Sequence, residues 1–132
     1  MNSPTSTPKV YENNYVFLWK EGEIICAKYK EDATIGYEGA VEIVAFRRSI
    51  FPGNHLQIIY INNLKCITKD AKKYFAGAEP NRDIIKGAFI VKNPVFCFIL
   101  NTFISVYKPV VPVKLFSNKK DALEWLHLAF KK

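Results

Sequence analysis

Chemistry in a protein needs nucleophiles, titratable groups or ligand sets held close together, and in this chain those residue types are sparse. The two histidines, His55 and His127, stand before a predicted strand and inside the last predicted helix, and neither has a nucleophile beside it in sequence. Three cysteines, Cys26, Cys66 and Cys97, are odd in number, sit in apolar surroundings and lack CxxC spacing. They read as reduced, buried thiols rather than a disulfide framework or a zinc site. A Cys–His pair distant along the chain is the one catalytic arrangement left open, and the apolar neighbours of each cysteine argue against it. No Gly-rich phosphate loop of the GxGxxG or GxxxxGK[ST] type is present. The chain is therefore expected to be no enzyme, with no catalytic residue, no metal and no cofactor.

The remaining polar residues fall into a pattern. Three times an apolar run leads into a polar helix-start signal: 58–61 into Thr68, 89–91 into Asn93-Pro94, and Leu115-Phe116 into Ser117-Asn118. Repeated strand-to-helix steps predict parallel strands flanked by helices, and in such open sheets partners sit at the carboxyl ends of the strands. The candidate binding residues are accordingly Asn62, Asn63, Thr68, Lys92, Asn93, Ser117 and Asn118, with Lys119 beside them. Free helix-start amides and lysines would make that rim mildly electropositive. Capping alone also explains most of these residue types, Thr68 above all.

Positioning that rim is the task of one domain. The chain has 132 residues, 49% of them hydrophobic and 14% aromatic, enough for a core. Residues 1–10, small and polar with two prolines, read as a solvated tail rather than a signal peptide, leaving 11–132 as the folded unit. A cytoplasmic location is expected. Through Cys66 the basic and acidic residues balance at seven each, so the whole net charge of +7 lies in the second half. Without an arginine-rich run or an aromatic-basic signature, those lysines read as solvated helix faces, and no nucleic-acid partner is expected.

Residues 15–20 and 24–29 are β-rich runs around Glu21-Gly22-Glu23, an antiparallel hairpin. Asp32 is placed to cap a helix over 34–51, whose stripe is Ala40, Ile43, Val44, Arg47, Ile50 and Phe51. A strand over 56–61, a helix over 68–75 and a strand over 84–91 follow. Segment 94–107 is a helix apolar on almost every side, yet its fourteen residues span only about 21 Å, short of a bilayer. No transmembrane segment is expected. Phe96, Leu100, Phe103 and Tyr107, at three- and four-residue spacing, form a stripe suited to a second protomer, so a homodimer is expected. Alternatively, a cleft beside the same helix receives a small hydrophobic or lipid-like ligand. A strand over 113–116 and a helix over 119–130 close the chain.

This order of elements resembles the STAS-type α/β domains, in particular the SpoIIAA-like branch common in bacteria. The likeness is carried by Phe89-Ile-Val-Lys-Asn-Pro94, the apolar helix, Lys108-Pro-x-x-Pro-x-Lys-Leu-Phe116 and Ala122-Leu-Glu-Trp-Leu126. It implies an α/β fold with an N-terminal antiparallel hairpin, then parallel strands, with four flanking helices. It also implies a regulatory, protein-binding module of the anti-sigma-factor-antagonist kind. In those proteins a Ser or Thr at a helix start accepts phosphate, and the position similar to it here is Thr68. The sequence departs from that pattern in having Asn62-Asn63 where acidic residues are usual, and in lacking a DSSG-like signature.

Overall fold

A two-residue strand, Tyr11–Glu12 (β1), lies antiparallel on Val16–Glu21 (β2), which pairs antiparallel with Ile24–Tyr29 (β3). The coordinates are a computed structural model describing residues 8–62 and 64–130. Glu21 stands opposite Ile24, leaving a two-residue turn in which Gly22 has φ +60, the left-handed backbone a II′ turn needs at its first central position.

After the hairpin the direction of pairing changes. His55–Tyr60 (β5), Ile84–Ile90 (β7) and Val113–Phe116 (β8) all run parallel to β3, giving a six-stranded order β1-β2-β3-β5-β7-β8 among the described residues. Two further short strands, Thr34–Ile35 (β4) and Cys66–Ile67 (β6), pair parallel to each other away from this sheet. The crossovers are Tyr37–Ile50 (α1), Lys69–Ala76 (α2) with the one-turn Ala78–Asn81 (α3), and Pro94–Tyr107 (α4); Lys119–Phe130 (α5) ends the fold. The mixed sheet is as expected, with α3 as a fifth helix among the described residues.

One sheet face carries three helices and the other one. Leu18, Ala27, Ile61 and Val91 pack with Ala40 and Ile43 of α1, Ala71 of α2 and Leu100 of α4. On the opposite face Ile24, Cys26, Leu56, Ile58, Ala88 and Ile90 meet Ala122 and Leu126 of α5. Leu126 is 0% exposed, and burying such a side chain stabilises by about 1.5–3 kcal/mol. Parallel strands covered on both faces explain why β5 and β7 read as near-continuous apolar runs.

Two local expectations give way. The first long helix begins at Tyr37, capped by Gly36, and not near Asp32, which has φ +62. The reason is that Thr34-Ile35, two β-branched residues, find a strand partner in Cys66-Ile67. Because β6 is a two-residue strand in that small pairing, Cys66 is exposed, while Cys26 is buried and Cys97 half-buried.

Candidate functional site

The strand ends that lead to the candidate rim lie side by side. Tyr60, Ile90 and Phe116 are in register, so the parallel strands end level and hand the chain to their helices along one border. There Thr68 Oγ1 accepts from the Ala71 amide at 3.2 Å, and Asn93 Oδ1 from the Val95 amide at 2.8 Å. Asn118 Oδ1 accepts from the Asp121 amide at 2.9 Å while its Nδ2 donates to Asp121 Oδ2 at 3.1 Å, a reciprocal cap. Asn62, Lys92 and Ser117 are exposed, and Asn63 lies outside the described residues. Lys119 Nζ pairs with Glu21 Oε1 at 2.6 Å, which holds the Glu21 carboxyl below its ordinary range. The capping side chains thus spend their acceptors on helix starts.

Helix α4 has the predicted bounds but a different orientation. Leu100 and Phe103, assigned to a second protomer, are 5% and 8% exposed against their own domain. Phe96 packs half-buried on the same core, and Tyr107 sits beside Phe103 with ring centroids 5.9 Å apart. That stripe therefore faces inward. The outward apolar stripe is Val95, Phe98 and Val106, with Phe98 72% exposed.

Beneath α4, between it and the sheet, lies a cavity of about 80 Å³. Leu100 and Phe103 roof it, and Gly87 of β7 forms part of its floor. A Cβ on Gly87 would meet only Val113 Cγ1, at 3.6 Å, so the missing side chain leaves space rather than admitting a neighbour. A shallower groove of about 210 Å³ runs between α2 and α4 and shares Lys72, Ile99 and Phe103 with the cavity.

The walls are mostly apolar but include Tyr29, Arg47, Gln57 and Lys72. Arg47, 5% exposed, donates through Nη2 to Pro80 O at 3.0 Å and Asp83 Oδ1 at 2.7 Å. Arg48 Nε binds the other oxygen of Asp83 at 3.1 Å. Burial works to raise the Asp83 carboxyl, yet the bond from Arg48 and the charges of both arginines hold it below its ordinary range. Burial lowers Arg47, Asp83 opposing it, and burial pushes the Tyr29 phenol up. Sequence reasoning missed this set. Its visible traces were a cation inside the apolar stripe of α1 and an amide inside the apolar run of β5.

Elsewhere the chemistry is muted. Burial pushes the Cys26 thiol up to about 12, away from the thiolate that a nucleophile needs. Among the described residues no cluster of three His, Cys, Asp or Glu side chains is placed to hold a metal, and no helix is long and apolar enough to cross a membrane.

Comparison with known proteins gives a family and a fold. The family model described as Domain of unknown function (DUF7793) matches residues 18–129. A crystal structure of an uncharacterized protein from the DUF3478 family, with a SpoIIAA-like fold, from Shewanella loihica PV-4, is similar with a TM-score of 0.58 at 16% identity. The match covers 91% of this chain and 92% of that one, and at this identity it speaks to the fold alone. No curated protein matches the chain.

Proposed function

From the premise that this chain belongs to the family of the Domain of unknown function (DUF7793) and has a SpoIIAA-like fold, we propose that it is a non-enzymatic binding module for a small, largely apolar molecule seated beneath α4. The observation that carries the reading is the cavity under an apolar helix, floored at mid-strand by a glycine. Pockets of this kind, apolar with a few polar groups on the wall, are the usual form of small-molecule sites. A close-packed interior leaves few voids larger than a water, so space of this size sets the region under α4 apart from the rest of the core.

The test is a thermal shift with n-hexanol on wild type and Gly87→Leu. A ligand that binds only the folded state raises Tm by mass action. Wild type should gain several degrees at saturating hexanol and Gly87→Leu none, because the added side chain fills the floor. Equal responses from the two proteins would count against the reading.

The regulatory, protein-binding reading keeps one observation of its own, the outward stripe of Val95, Phe98 and Val106. Light scattering on wild type and Phe98→Asp tests self-association through it: a dimer that becomes a monomer supports a homodimer, and a monomer in both removes it.

A further inference from the structure

The cavity's charged groups share one sign. Arg47 and Lys72 line it, and no Asp or Glu does. Both bonds of Arg47 leave from Nη2, so its Nε and Nη1 donors have no partner among the described residues. The Tyr29 hydroxyl, on a residue 9% exposed, and the Gln57 amide likewise make no hydrogen bond among the described residues. Arg47 and Arg48 share the Asp83 carboxylate, and Arg48 has Glu79 Oε2 besides, at 2.7 Å, so Asp83 is the one acid that Arg47 pairs with among the described residues. His55 Nδ1 is the one fully buried side-chain N or O atom without a partner among the described residues, so these donors stay open to solvent or to a ligand in the cavity, and the complement that satisfies a guanidinium edge best is a carboxylate, through paired charge-assisted bonds.

Size narrows the class. At roughly 10–15 Å³ for each water-sized group, the cavity of about 80 Å³ admits a molecule of roughly five to eight such groups. The groove that shares Lys72 with the cavity gives an approach past an ammonium group.

We infer that the ligand is a short-chain carboxylate, its headgroup on the free edge of Arg47 with Tyr29 and Gln57 alongside, and its tail among the apolar walls under α4. The inference rests on the cavity reading above. Its test compares hexanoate with n-hexanol, which have the same number of carbons, by calorimetric titration of the full chain at neutral pH. Wild type should bind hexanoate at least tenfold more tightly than hexanol. Tyr29→Phe and Gln57→Leu, both close in shape to the native side chains, should each weaken hexanoate severalfold and leave hexanol unchanged, with circular dichroism confirming the fold. Gly87→Leu should abolish both. Hexanol binding as tightly as hexanoate, with Gly87→Leu blocking both, would overturn the carboxylate while leaving the cavity reading in place. Failure of both probes, or binding indifferent to Gly87→Leu, would overturn the two together.

Discussion

Arg47 and Thr68 show how differently single residues betray their roles. Thr68, Asn93 and Asn118 are caps in the structure as the sequence suggests, because capping is decided within four residues of chain. Thr68→Ala should therefore cost about 1 kcal/mol in urea unfolding. Arg47, Tyr29 and Gln57 meet only after the helices fold onto the sheet, so nothing local joins them. Asp83 ties Arg47 in place, and Asp83→Ala leaves a buried guanidinium short of its partner, for which about 3–5 kcal/mol of lost stability is expected. The pH dependence follows from the same pair. A carboxyl held below its unfolded value contributes stability in full above about pH 4, and that contribution fades as pH falls through the folded value. Unfolding followed from pH 6 down to pH 2 should show wild type losing stability on the acid side, with a flatter limb in Asp83→Asn.

Among the elements, α4 was legible in extent and illegible in direction. Asn93 and Pro94 fix its start, and Lys108 at φ +49 closes its end. Between them nearly every residue is apolar, so periodicity could not say which stripe looks inward; the sheet decides it. The consequence is measurable: Phe103→Ala should cost about 3–5 kcal/mol, as large core truncations do. Phe98→Ala, 72% exposed, should change stability by no more than about 0.5 kcal/mol. Comparable losses at the two positions would show that α4 sits the other way round. The start of α1 failed for a related reason. Thr34-Ile35 has strand propensity, but its partner Cys66-Ile67 lies some thirty residues away and is invisible to any local window.

For the molecule as a whole, element order and parallel pairing were readable because apolar runs, caps and turn residues repeat along the chain. The cavity was not readable, because it is a mismatch of volumes: three helices cover one sheet face, and Gly87 offers no side chain to fill the gap below α4. That gap is where the proposed function lives. The most direct test is a titration of ¹⁵N-labelled protein with n-hexanol followed by amide chemical shifts. Shifts should concentrate at Gly87, Ile99, Leu100 and Phe103, all on the cavity wall, and disappear in Gly87→Leu. Shifts confined to the outward stripe of α4, or unchanged by filling the floor, would contradict a ligand held inside the domain.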